Sequence, residues 1–383
     1  MDPVYLDYNA TAPVKPEVAA AVAAALSSTG NPSSVHSFGR AVRELVEDAR
    51  DTVAALVGAA PADVVFTGGG TEANNLALRG AGRRRLVVSA VEHPSVLAAA
   101  RAIYPETVVL PVDGDGRVAP ASLGEALGPE AGDTLVSIML ANNETGVIQP
   151  VSELAAVSHA AGALFHCDAV QGPGRIPVDI AALGADYLSL SAHKFGGPKG
   201  VGALVLSASA EISPTNIGGG QERGRRAGTE NVAGIAGMGT AARLAAEDLQ
   251  RAPHLGELRD SIEGALREIN AAVTVFGVGA DRLPNTTALT MPGVQSETQV
   301  MALDLAGVAV SAGSACSSGR VEPSHVLRAM GVDDAAGGCA IRVSLGWASE
   351  TTDIERFVGA WRATHAGFAS RFQAGLSSAA GSD

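Results

Sequence analysis

The stretch Tyr187-Leu-Ser-Leu-Ser-Ala-His-Lys194-Phe-Gly-Gly-Pro-Lys-Gly200 runs from a short apolar segment straight into a lysine and a glycine-rich turn. Comparable apolar runs rich in β-branched residues stand at Val64 to Thr67, Leu86 to Ser89, Thr107 to Leu110, Leu135 to Leu140, Ala163 to Cys167 and Ala203 to Leu206. Most are apolar throughout, which is the pattern of strands buried on both faces. Helical stretches separate them from about residue 60 to 210, so the segment reads as βαβ units: an α/β core with a mainly parallel sheet flanked by helices. Ahead of it, Val42, Leu45, Val46, Ala49, Val53 and Leu56 mark an amphipathic helix that stops at Gly58.

After about residue 255 the order changes to a long helix, strand-like segments at Thr274 to Phe276 and Thr286 to Met291, a helix from about Glu297, and strands near Val308 and Ile341. This predicts a separate, smaller α+β domain. A last helix from about Thr352 to Phe372 precedes a small, polar tail at 373–383 that is expected to be disordered. A chain of 383 residues is long enough for two cores.

Hydrophobic residues make up 46% and charged residues 17%, an ordinary globular balance. The formal charge of -13 would repel polyanions, which argues against nucleic acid or an anionic membrane as a partner. The three cysteines, Cys167, Cys316 and Cys339, are odd in number and lack metal-ligand spacing, so neither a disulfide scaffold nor a metal site is expected. A reducing cytoplasm fits. No apolar run reaches the roughly 18 residues of a membrane helix, and the start of the chain lacks a signal-peptide pattern.

Lys194 lies between His193 and a run of glycines after a buried strand. In apolar surroundings its amine would lose basicity, which suits a nucleophile that forms a Schiff base. A lysine alone in a turn would read as surface; its neighbours decide otherwise. The strand ending His166-Cys167-Asp168 brings a carboxylate to a strand's C-terminal end, where open α/β sheets bind ligands, and Gln171 follows within a turn. Asp168 could pair with a pyridinium nitrogen or merely cap a helix. In Thr67-Gly-Gly-Gly70-Thr71-Glu-Ala-Asn-Asn75 a strand gives way to a helix whose first N–H groups can cradle a phosphate, although the glycine spacing matches neither a P-loop nor a dinucleotide fingerprint.

Glu92-His93-Pro-Ser95 puts an imidazole at the same edge, able to stack on a ring or move protons. Asn143 in ANNETG follows another strand there and could bond a ligand or hold a turn. Arg342 sits inside an apolar strand and needs a carboxylate partner, either a substrate's or a structural Asp or Glu. Cys316 lies in a Ser/Gly-rich stretch without helical or strand period, the setting of an exposed, reactive thiol; Cys167, in its apolar strand, should be inert.

Together these segments resemble the cysteine desulfurases of nitrogen fixation and iron-sulfur cluster assembly, fold-type I pyridoxal-phosphate enzymes of the class V aminotransferase group. The likeness covers nearly the whole chain, through YLDYNATAP, NPSSVHSFGR, GGGTEANN, EHPSV, ANNETGVIQP, FHCDAVQ, SLSAHKFGGPKGVG, GGGQERGRRAGTENV, RLPNTT, SAGSAC, EPSHVLRAMG and IRVSLG in family order. It implies that Lys194 carries pyridoxal phosphate as a Schiff base, Asp168 pairs with its ring nitrogen, Gln171 reaches its phenolic oxygen and His93 stacks on the ring. Gly70, Thr71, Ser191 and His193 would hold the phosphate with Thr229 of a neighbouring subunit, which makes a homodimer. Asn31, Asn143 and Arg342 would contact the substrate carboxylate.

The implied activity converts L-cysteine to L-alanine and passes sulfur, as a persulfide on Cys316, to an acceptor protein such as an iron-sulfur cluster scaffold. The implied layout is a large cofactor-binding domain over 16–255 and a small one over 1–15 and 256–372 that carries the cysteine loop. Ser317 stands where threonine commonly follows the reactive cysteine, and Cys167 where Thr, Ser or Val often precedes the aspartate; neither change removes a required group. Cys339 matches no family position and reads as structural. A selenocysteine lyase or a cofactor-free scaffold on the same fold would be the rival activities.

Overall fold

The computed structural model describes residues 3–313 and 324–379. Its centre is a seven-stranded sheet, and the strands of the described residues are, in chain order, β1 (Val4–Tyr5), β2 (Val64–Thr67), β3 (Arg85–Ser89), β4 (Val108–Leu110), β5 (Thr134–Ser137), β6 (Leu164–Asp168), β7 (Tyr187–Ser191), β8 (Gly202–Leu206), β9 (Thr286–Thr290), β10 (Val308–Ala309), β11 (Ser311–Ala312) and β12 (Ala340–Ser344). The central sheet has the order β2-β8-β7-β6-β5-β3-β4. Its β4-β3, β3-β5, β5-β6 and β6-β7 pairings are parallel, and β8 runs against both its neighbours. The sheet is therefore mainly parallel, as its apolar strands predict, and the lysine segment is the connection between the antiparallel pair β7 and β8.

Side chains alternate across the sheet. Val87, Val136, Phe165, Cys167 and Leu188 share one buried cluster with Val18 of α1 (Pro16–Leu26), Val46 and Val53 of α2 (Ser37–Leu56), and Ile235 and Met238 of the helix Val232–Asp248. Leu86, Val88, Leu135, Tyr187 and Leu204 point to the other face, against Ala73, Leu76 and Ala77 of α3 (Gly70–Gly80) and Val96 and Ala100 of α4 (Pro94–Ile103). Each of these large side chains, fully buried, contributes about 1.5–3 kcal/mol. Asp168, two places beyond His166 on β6, falls on the α3 side by the same alternation.

The remaining strands pair among themselves, β1 with β10 and β11-β12-β9. They pack with the helices Ala252–Ile269 and Thr351–Ala379 around Leu6, Leu258, Ile262, Leu289, Val343, Phe357 and Trp361. Thr274 to Phe276 is no regular strand; it lies along β9 through the single bridge of Val275 to Leu289, with the Phe276 N–H donating to the Ala288 carbonyl (2.9 Å) and the Thr290 N–H to the Thr274 carbonyl (2.9 Å). β5 ends at Ser137 rather than at Leu140, yet Ile138 and Leu140 still donate to the carbonyls of His166 (3.0 Å) and Asp168 (2.9 Å), so the backbone stays in register as it leaves the sheet. The last helix continues to Ala379, past Phe372, through a sequence that contains no proline. No helix among the described residues is long and apolar enough to cross a membrane.

Candidate active site

Because β8 alone is reversed, β2, β3, β5, β6 and β7 end at one edge of the sheet. Each strand end delivers polar groups there. Gly70, Thr71, Asn74, His93, Ser95, Asn143, Asp168, Gln171, Ser191, His193 and Lys194 line a cleft of about 180 Å³, with Met139, Ala141 and Val170 as its apolar wall.

The β2 end turns into α3 through Gly69, whose φ of 142° favours glycine, and the facing position on β8, Gly202, must be glycine too. A side chain at Gly202 would come within 2.8 Å of the Gly69 backbone. A Cβ on Gly70 would meet Val170 and Ser191 at 3.0 and 3.3 Å, so the amino end of α3 stays open to the cleft, with Ser191 and Thr71 beside it. Uncapped N–H groups and the helix dipole make this end suited to an anion.

Asp168 is buried, with Oδ2 accepting from Asn74 Nδ2 (2.7 Å) and Oδ1 from the Val170 N–H (3.1 Å). The half-buried Lys194 amine donates to the carbonyls of Asn9 (2.5 Å) and Ala10 (3.0 Å). Gln171 donates from Nε2 to the Asn9 carbonyl (3.1 Å), and its Oε1 accepts from Arg175. Arg175 is a fully buried guanidinium that also donates to the carbonyls of Gln171, Tyr8 and Lys194. Burial pushes its pKa down to about 9. It carries charge beneath the lysine and orients Gln171.

Both imidazoles at the cleft are held neutral. Burial lowers His193 to about 4, with Lys194, Lys199 and Arg175 adding to the fall, and its Nδ1 lies 3.2 Å from Thr11 Oγ1. Burial also lowers His93, against the attraction of Asp168. Cys167 sits behind the cleft with its thiol pushed well up by burial, so it stays protonated, as its strand position predicts.

The other expected residues lie elsewhere. Asn31 and Thr229 are exposed and do not line the cleft. Asn31 accepts from the Ser33 N–H (2.8 Å). Arg342 is buried and, of its two possible partners, has a structural one: Nη2 donates to Asp7 (2.7 Å) and Nη1 to the Asn143 carbonyl (3.0 Å). Cys316 lies outside the described residues. Asn74, Ser95 and Arg175 escaped the sequence analysis as site residues, although Asn74, three places after Thr71, shares its helical face.

Next to Asn143, the buried Glu144 accepts from Ser324 Oγ (2.5 Å), on the far side of the cysteine segment. Burial raises its pKa to about 7, partly offset by Ser324 and Arg342. The folded protein thus holds a proton that the unfolded chain releases near 4.5, and the sign follows: this stability is full below about pH 4.5 and is lost as pH rises through 7, by about 3 kcal/mol. Glu144→Gln should remove that loss, so its Tm should gain on wild type by several degrees between pH 5 and 8; parallel Tm curves would refute the assignment.

The model of the aminotransferase class-V family matches residues 4–357. A cysteine desulfurase of Cereibacter sphaeroides is 46% identical over 369 residues, 94% of each chain. The chain belongs to the class-V aminotransferase family, among its cysteine desulfurases. The solved NifS-like protein of Rickettsia africae superposes with a TM-score of 0.88 at 36% identity, over 95% of this chain and 99% of that one. SspA, solved in complex with cysteine, superposes with a TM-score of 0.78 at 30% identity, over 89% and 98%. The mainly parallel sheet with its edge cleft is thus the desulfurase family's fold.

Proposed function

We propose that this chain is a pyridoxal-phosphate-dependent cysteine desulfurase that makes L-alanine from L-cysteine and loads the sulfur on Cys316 for an acceptor protein such as an iron-sulfur cluster scaffold. One observation carries this: the adjacent strands β6 and β7 bring a buried carboxylate and an amine into one cleft that also receives the open end of α3. That donor set fits pyridoxal phosphate. Lys194 would bind its carbonyl carbon, Asp168 its ring nitrogen, Gln171 its phenolic oxygen, and Gly70, Thr71, Ser191 and His193 its phosphate, with Thr229 of a second copy completing the site in a homodimer. His93 would stack on the ring. Bound there, the cofactor supplies an electron sink for the pair left at the substrate's Cα.

The chain's own groups supply the rest. Lys194, freed by the incoming amine, takes the Cα proton at Nζ and gives a proton back to Cα before alanine leaves. Asn143, which lines the cleft, would orient the substrate carboxylate, with Arg342 behind it donating to the Asn143 carbonyl. The Cys316 thiolate attacks the substrate sulfur; a new S–S bond forms, the Cβ–S bond breaks, and Cβ takes the electron pair and a proton to become alanine's methyl group. SspA binds cysteine on the same fold, which supports the substrate class. We place the reaction in the cytoplasm, consistent with the free thiols of Cys167 and Cys339, in a large domain over 16–255 and a small one over 1–15 and 256–372.

Cys316→Ala should lower sulfide and alanine formation from cysteine by about 10³-fold or more while pyridoxal phosphate still binds. Turnover at the wild-type rate would overturn the role of Cys316.

A further inference from the structure

His93 is the N-cap of α4, and the Ser95 N–H donates to its Nδ1 (3.1 Å). A backbone N–H can only donate, so Nδ1 carries a lone pair. Ser95 Oγ lies 2.8 Å from the same Nδ1, and Asn74 Nδ2 reaches that hydroxyl at 2.9 Å. The amide's other N–H meets Asp168 at 2.7 Å. A flipped amide would set its oxygen against the carboxylate, acceptor against acceptor, so Asp168 fixes which way Asn74 faces. The order of donors follows: Asn74 gives one proton to Asp168 and one to Ser95, and Ser95 gives its own to His93.

Resting on the desulfurase reading of the cleft, we propose that Asn74 and Ser95 are positioning residues that hold His93 as the neutral Nε2–H tautomer and tie it to Asp168. His93 then acts as a donor from Nε2, and it can accept a second proton at Nδ1 only if Ser95 turns away. The α4 dipole opposes that proton as well. Of the charged and titratable groups around the ring, Asp168 favours the cation, while Lys194 and His325 disfavour it, as burial does. The two residues thereby keep the stacking ring and the carboxylate in one register while Lys194 moves.

The test uses full-length protein labelled with ¹⁵N in histidine, with and without pyridoxal phosphate, and follows the ring nitrogens by long-range ¹H–¹⁵N correlation; His93→Gln identifies the His93 signals. His93 should show a protonated Nε2 and a bare Nδ1 down to pH 6. Ser95→Ala should raise its pKa by about half a unit or more, and Ser95→Thr, which keeps the hydroxyl, should restore it. The acid limb of the kcat profile for alanine formation should move with that pKa, and KM for cysteine should stay within about twofold. A protonated Nδ1 in the wild type, or the same His93 titration in Ser95→Ala, would overturn the proposal. The ring signals are read in the cofactor-free protein too, so failure of the desulfurase activity itself would show separately, as no alanine from wild type.

Discussion

Lys194→Ala is expected to lower alanine formation from cysteine by about 10⁴-fold or more, the loss that follows from removing the covalent attachment point and the proton acceptor together. The structural cost should be small. The side chain is half-buried, and its loss leaves the carbonyls of Asn9 and Ala10 without this donor, about 1 kcal/mol. A folded variant with nearly wild-type Tm and no turnover is therefore the expected result; turnover within tenfold of wild type would remove Lys194 from the chemistry.

Asp168→Asn should cost about 10²–10³-fold in kcat, the scale for removing one charge placed against a reacting group. The replacement is isosteric, which separates charge from shape. The new amide oxygen can still accept from Asn74, but the amide nitrogen would face the Val170 N–H, donor against donor, at about 1–3 kcal/mol in stability. Saturating cysteine exposes the kinetic part and thermal unfolding the structural part. Full kcat in this variant would contradict the pairing of Asp168 with a positive ring nitrogen.

Both residues were legible from sequence because each ends an apolar strand, and strand ends in a mainly parallel sheet gather at one edge. The signal of short, continuously apolar runs rich in β-branched residues found all seven central strands within a few residues. It failed at Thr274 to Phe276, which runs along β9 with hydrogen bonds to Ala288 and Thr290 but is too short to form more than one bridge, to Leu289. It also overran at Leu140, since buried residues beyond Ser137 stay apolar after regular pairing ends. Long-range partners were beyond reach. Nothing local tells that Asp7 pairs with Arg342, that the carbonyls of Asn9 and Ala10 receive the Lys194 amine, or that Asn74 spans Asp168 and Ser95, because those contacts join segments separated by up to 335 residues. Arg175 was hidden for a related reason: an arginine after a glycine turn reads as surface until the fold buries it under Lys194.

The most direct test is the visible absorption spectrum of the purified full-length protein, recorded before and after L-cysteine is added, with alanine and sulfide assayed in the same tube. A yellow band that changes on adding cysteine, with both products appearing, is the predicted result. A protein that stays colourless even after incubation with pyridoxal phosphate, and forms no alanine, would contradict it.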